Sequence, residues 1–204
     1  MSTTSKKKKS ILGVGYKLLG VADAAVKWLV STEAGGREYS YDPRGESQDV
    51  YADGVKVFGD SANDGYDIKL TLLDIIDDVS ADWLNEVVDN NGRAEYADVA
   101  EYPYFELYII ENTRDAVGKT TIFSYCQCSG RPSVTGKTSE GSGNFDYFFP
   151  EYSISATPRP SDMLVKYEVD GKIRFTTVPN PPEKTPATAE TSSPQEKQTT
   201  QGGN

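Results

Sequence analysis

Between residues 65 and 72 the chain alternates strictly. Tyr66, Ile68, Leu70 and Leu72 fall on one side and Asp67, Lys69 and Thr71 on the other, which predicts a strand with one buried face. Seven further stretches are short, rich in aromatic and β-branched residues, and bounded by Gly, Pro, Asn or Asp: 24–31, 49–59, 103–112, 119–130, 147–158, 163–171 and 172–178. Asp170-Gly171, between the last two, predicts a hairpin turn because both residues accept positive φ. The pattern turns helical once. Ser80 can cap a helix whose Trp83, Leu84, Val87 and Val88 form one apolar stripe, closed by Asn90 to Gly92. The stripe reads as core contact, so the expectation is a mainly β domain with one short α-helix, at about residues 80–90, packed on a sheet.

The ends are different in kind. Residues 1–10 carry no large apolar side chain beyond the initial Met and are expected to form a flexible basic arm; the alternative is an arm that orders against a neighbour. Residues 179–204 hold five prolines and no aromatic or large aliphatic side chain, so they are expected to stay a disordered tail. The domain is then about 11–178. No apolar run approaches the roughly 20 residues of a membrane span, and no clean signal-peptide core follows Lys6 to Lys9, so a soluble protein without membrane insertion is expected.

Charge and missing residue types narrow the chemistry. The formal charge is −10, and because Lys6 to Lys9 contribute +4 the rest carries −14. Such a surface repels phosphates and argues against a DNA-binding module, though it permits a protein that stays close to DNA without sticking to it. The chain has no histidine, which removes Ser-His-Asp and Cys-His catalysis, and the 31 acidic residues make chance carboxylate pairs unavoidable. No enzyme is expected. Cys126 and Cys128 fall on one face of a strand, too close for an unstrained disulfide and too few for a zinc site, so two reduced, partly buried thiols are expected.

Two loops mimic ligand motifs. Residues 130–139, Gly-Arg-Pro-Ser-Val-Thr-Gly-Lys-Thr-Ser, end like a P-loop, but five residues rather than four separate Gly130 from Gly136, and Pro132 removes an N–H. In the 60–65 loop Asp60, Asp64 and Gly65 fit a calcium loop, whereas Ala62 and Thr71 occupy positions that need ligands. Neither a cofactor nor a metal is expected.

Taken in order, Val50-Tyr-Ala-Asp-Gly54, the 63–75 strand, 81–92, 103–112, Arg131-Pro132-Ser133 with Lys137-Thr138-Ser139-Glu140, and Ala156-Thr157-Pro158-Arg159 resemble the major tail proteins of long, non-contractile-tailed bacteriophages, in particular those infecting Gram-positive hosts. The likeness covers about residues 45–163. It implies a β-sandwich or barrel-like sheet with a flanking helix, six copies of which close into a ring. Rings stack into a hollow tube through which double-stranded DNA passes without specific binding. The implied partners are the chain itself and the tape-measure, tail-tip and terminator proteins, and the implied place is the virion tail, after assembly in the host cytoplasm.

On that reading the loop holding Arg131 and Lys137 is expected to contact a neighbouring subunit or ring, with both cations paired to its acids. The insertion at 33–48, with Arg37, Tyr39, Tyr41 and Arg44, is either a second ring contact or a solvated hairpin loop. Lys6, Lys7, Lys8 and Lys9 would order only at the growing end. Asp67, Glu106 and Glu151, as outward acidic strand positions, are candidates for the lumen wall. The other class to weigh is a monomeric β-sandwich binding module whose Tyr-rich loops hold a carbohydrate or protein ligand, since the chain has 13 tyrosines.

Overall fold

A computed structural model describes residues 8–29, 32, 35–45, 47–52, 55–61, 63–98, 101–134, 147–172 and 178–184, with 8, 9, 47–52 and 55–61 as backbone only. The elements in chain order are β1 (Lys8–Leu18), β2 (Lys27–Trp28), β3 (Gly36–Arg44), β4 (Ser47–Ala52), β5 (Val55–Ser61), β6 (Gly65–Leu72), α1 (Asp77–Leu84), β7 (Val87–Asp89), β8 (Gly92–Ala94), β9 (Phe105–Thr113), β10 (Lys119–Cys128), β11 (Glu151–Ala156) and β12 (Lys166–Asp170). The domain is mainly β with one short helix, as the hydrophobic pattern predicts.

One eight-stranded antiparallel sheet runs β2-β1-β9-β10-β11-β6-β3, and β12 joins it on β10. β10 is long enough to serve two neighbours on one edge: Lys119–Phe123 pair with β12 and Cys126–Cys128 with β11. The sheet curls until β3 returns toward β1, where Gly36 packs on Val14. Two two-stranded ribbons, β4–β5 and β7–β8, stand apart from it.

The concave face holds the core. In β6, Ile68, Leu70 and Leu72 are buried while Asp67 and Lys69 are exposed, which is the face assignment read from the sequence. α1 closes this core with Val79, Trp83 and Leu84. Trp83 stacks on Phe105 with ring centroids 4.6 Å apart, and Tyr16 and Tyr152 meet its edges at 5.4 Å. Truncating a residue so placed costs about 3–5 kcal/mol, so the helix is fixed by this one side chain more than by its own propensity. Asp82 ties it down from outside by accepting from the Tyr16 hydroxyl at 2.6 Å and pairing with Lys27 at 2.5 Å.

Four sequence expectations change. The helix starts at Asp77, where two acidic residues favour its positive end, and Ser80 is a buried residue inside it. It stops at Asn85, whose left-handed φ of 54° ends the turn, and Val87–Asp89 become a strand turned back by Asn90-Asn91-Gly92. The single strand expected at 49–59 is a hairpin, in which Ala52 pairs with Val55 across a two-residue loop. β1 has no counterpart among the expected strands, and it begins at Lys8, inside the arm expected to be flexible, because β9 supplies backbone partners from Leu18 back to Lys8. Lastly, 36–44 is no surface insertion: β3 pairs with β6 along its whole length. Of the last expected strand, 173–177 lie outside the described residues, as do 1–7 and 185–204.

Candidate assembly surfaces

The outward face of β3–β6–β11 has no aromatic or large aliphatic side chain. It presents Glu38, Ser40, Asp42 and Arg44 from β3, Asp67, Lys69 and Thr71 from β6, and Glu151, Ser153 and Ser155 from β11. Four carboxylates stand against two bases. Asp67 and Glu151, two of the three residues expected on a lumen wall, share this face. Asp42 and Asp67 are directly opposed across β3 and β6, a like-charge juxtaposition that costs stability, partly offset by Arg44 Nε at 3.4 Å from Asp67.

Glu106, the third, is not with them. It sits on the outer side of β9 with its side chain only 13% exposed, paired with Arg159 at 3.4 Å and accepting from the Tyr108 hydroxyl at 2.5 Å. An acid so occupied is a structural ion pair, and outward alternation alone does not reveal that another segment covers it.

β3 and β6 lead directly into β4 and β5. Asp64 N–H donates to the Arg44 carbonyl at 3.0 Å at the junction, and Asn63 Oδ1 accepts from Gly65 N–H, which makes the partial calcium motif an Asx turn. β4 and β5 pair with each other and with no other strand among the described residues. Arg44, expected at an interface, pins this junction instead, with Nη2 3.0 Å from the Ala156 carbonyl. Tyr39 and Tyr41 also turn inward, half-buried against the core and stacked at 6.1 Å, and the Tyr39 hydroxyl donates to the buried Glu111. Burial and the neighbouring carboxylate push its ionisation far above the ordinary tyrosine range. Both pack as partly buried residues against the core, on the face of β3 opposite Ser40 and Asp42. Arg37 remains exposed, its guanidinium 3.8 Å above the Phe149 ring.

Arg131 finds its acids within its own chain: Nη1 lies 2.7 Å from Glu86 Oε1, and Nε pairs with Glu95. Ser133 bridges to Glu151, and from residue 135 to 146, Lys137 included, the loop lies outside the described residues. So do Lys6 and Lys7, while Lys8 and Lys9 are seen only as strand backbone. Around the end where that loop departs, Val134, Tyr147, Phe148 and Leu73 are exposed. Leu72 N–H bonds the Pro150 carbonyl there, which brings the 147–150 segment beside Leu73.

On the same outer side of β9 as Glu106, Trp28, Tyr108 and Tyr167 line a cavity of about 630 Å³, with Glu106 and Arg159 at its side and residues 178–181 as its rim. Trp28 can lie flat over β1 because Gly15 offers no Cβ; one would meet its ring at 2.5 Å. Sequence reading misses this cleft, since its residues are scattered over four segments and only their alternation against the core face hints at it. Cys126 and Cys128 are free and fully buried rather than partly so, and burial pushes the Cys128 thiol up to about 12 and Cys126 higher still. Among the described residues no cluster of His, Cys, Asp and Glu could hold a metal, and no helix is long and apolar enough to cross a membrane.

No protein-family model matches the chain, and no curated protein matches it either.

Proposed function

We propose that this chain is a self-assembling structural subunit, the major tail protein of a long non-contractile-tailed phage. Its copies close into rings, six to a ring as the resemblance to that family implies, that stack into a tube conducting DNA. One observation carries this reading: the two strands that present an apolar-free acidic face, β3 and β6, continue into a ribbon that pairs only with itself among the described residues. An isolated two-stranded ribbon is marginal in water and gains its stability from a surface to lie on, which a neighbouring ring offers. The acidic face suits a wall past which a polyanion slides, because like charge across a short gap leaves no counterion-release energy to hold it. The exposed Val134, Tyr147, Phe148 and Leu73 add an apolar rim of the kind that marks contacts between proteins.

The subunit catalyses nothing on this reading and takes no cofactor; its partners are its own copies and the tape-measure, tail-tip and terminator proteins. Its place is the virion tail, after assembly in the host cytoplasm. Negative-stain electron microscopy of the full chain, concentrated in moderate salt, tests it. Uniform rings or hollow tubes are the expected result. Compact monomers at every concentration, with tail-tip proteins added as nuclei, would move the reading to a monomeric binding module.

A further inference from the structure

The outer side of the sheet carries an apolar cluster that neither the acidic face nor the ribbon uses. Tyr108 and Ile122 are buried there, and Val26, Trp28, Tyr167 and Val178 pack on them. Residues 178–181 of the same chain lie along this cluster as a wall, and with that wall in place the cavity of about 630 Å³ remains beside the sheet. Small-molecule sites enclose volumes of this order. The rings of Trp28 and Tyr108 stand 5.9 Å apart at 54°, so they open a wedge instead of closing on each other.

The charges of this cavity run against those of the chain. The formal net charge is −10, yet of the three charged residues that line the cavity two are bases, Lys17 and Arg159, and one is an acid, Glu106. Lys17 and Glu106 are direct cross-strand partners in β1 and β9, a position where opposite charges commonly pair. Here they do not, because both oxygens of Glu106 are engaged elsewhere. Oε1 faces Arg159 Nη1 at 3.4 Å, and Oε2 accepts from the Tyr108 hydroxyl at 2.5 Å. Arg159 commits its Nε and Nη2 to Asp162. The Lys17 ammonium is thereby left, among the described residues, without an acid or a hydrogen-bond acceptor.

A half-buried cation beside aromatic rings has lost part of its water and gained nothing in return. The wedge and the ammonium together describe what would complete them. A second cation is repelled by Lys17. A neutral flat molecule fills the wedge and leaves the charge uncompensated. A small anion with an apolar body satisfies both, and the acidic surface elsewhere on the chain repels the same molecule, so its place is set by this one local excess of positive charge.

We propose that the cavity is a binding site for a small organic anion, whose flat apolar body lies in the wedge between Trp28 and Tyr108 and whose acidic group meets the Lys17 ammonium. The wall at 178–181 stays where it is, and the ligand occupies the space it leaves. The site is independent of the tube reading, since every residue in it belongs to one chain.

Two dyes separate the wedge from the charge. Anilinonaphthalene sulfonate has a flat apolar body and one acidic group; phenylnaphthylamine has the same body without the acid. Each is titrated, by its emission, into the dilute full chain and into full-length Lys17→Met, which keeps the apolar stem and removes the charge. The expected result is saturable binding of both dyes to the parent, with the sulfonate held more tightly. Lys17→Met should weaken the sulfonate about tenfold, the loss that follows from removing one charged partner, and leave phenylnaphthylamine unchanged. Trp28→Ala, with circular dichroism matching the parent's, should weaken both. No saturable sulfonate binding to the parent overturns the site. Sulfonate binding equally tight in Lys17→Met also overturns it, and would place the dye on the exposed rim at Tyr147 and Phe148 instead. Equal weakening of the two dyes by Lys17→Met would show that Lys17 acts through packing, which overturns the anion.

Discussion

Arg131 Nη1 lies 2.7 Å from Oε1 of Glu86, a carboxylate whose side chain is only 13% exposed, and the same guanidinium pairs through Nε with Glu95. The loop that leaves the body after Arg131 is thus bolted to the α1–β7 junction before it reaches any neighbour. Arg131→Glu would set three carboxylates together, one nearly buried, and should cost about 2–4 kcal/mol, toward the lower end because Glu95 is solvated. Urea unfolding of the monomer checks this, and Arg131→Lys should recover part of the loss. An unchanged midpoint for the charge reversal would show the pair to be dispensable.

That pair also shows where the sequence is legible. Charge at Arg131 can be read, but its partner cannot, since the apolar stripe places Glu86 within a longer helix. Periodicity fails at 85–92 because the left-handed Asn85 ends the helix at a point only tertiary packing selects. β6 is readable because it buries one face, so alternation is enforced at every second residue, whereas β9 and β10 are readable as continuous runs of aromatic and β-branched residues, being buried on both faces over much of their length. β1 and β3 are not: β1 carries glycines and lysines where a strand usually shows aliphatics, and β3 is mostly polar, held by the two inward tyrosines. Of the expected contact and wall residues, Asp67 and Glu151 fall on one acidic face and Arg37 stays exposed. Tyr39, Tyr41, Arg44, Arg131 and Glu106 are all engaged within the subunit. Strand alternation tells which side a residue faces and is silent on what covers that side.

Gly65 opens β6 with φ +112°, and a Cβ there would lie 1.8 Å from the Ala156 carbonyl oxygen on β11. Both the backbone conformation and the space demand glycine, and the obstructing atom is backbone, so relief requires parting β6 from β11. Gly65→Ala should destabilise by about 2–4 kcal/mol, the sum of left-handed strain and a displaced strand end. The same residue sets the junction of the ribbon with the body, so the variant should also expose 47–61 to protease at concentrations that spare the parent. Thermal unfolding within a degree or so of the parent would contradict the clash.

Asp162 accepts from Arg159 Nη2 at 2.5 Å and Nε at 2.9 Å, and from the Leu164 N–H at 3.1 Å. These hydrogen bonds, the guanidinium's first, hold its carboxyl down at about 2, below an ordinary value of 3.8. A carboxyl depressed in the folded state binds protons more readily when unfolded, so its contribution is complete above the ordinary value and fades as pH falls toward about 2. Asp162→Asn should therefore melt below the parent near neutral pH, by a modest margin because the site is solvated, and the gap should close through that acid window. A gap that stays constant from neutral to strongly acid solution would show that the carboxylate's charge is not what matters.

The ribbon gives the sharpest separation of folding from assembly. β4 and β5 contribute no pairing to the eight-stranded sheet, and the Asp64-to-Arg44 bond closes the sheet before the ribbon starts. Replacing residues 46–62 with an Asn-Gly turn between Gly45 and Asn63 should leave a folded subunit, since a two-residue loop suits the twist of the flanking strands. Its melting temperature should stay within about 4 °C of the parent, less than the shift about 2 kcal/mol gives a domain this size. If the parent assembles as proposed, microscopy of the shortened chain at the same concentration should then show monomers or single rings, because the surface the proposal assigns to the next ring is gone. Tubes of normal length would remove the ribbon from the stacking contact and leave the exposed Tyr147 and Phe148 rim as the surface to mutate next. A subunit that fails to fold would mean that the ribbon stabilises the sheet it springs from, so that the contact must be sought by single substitutions along β4 instead.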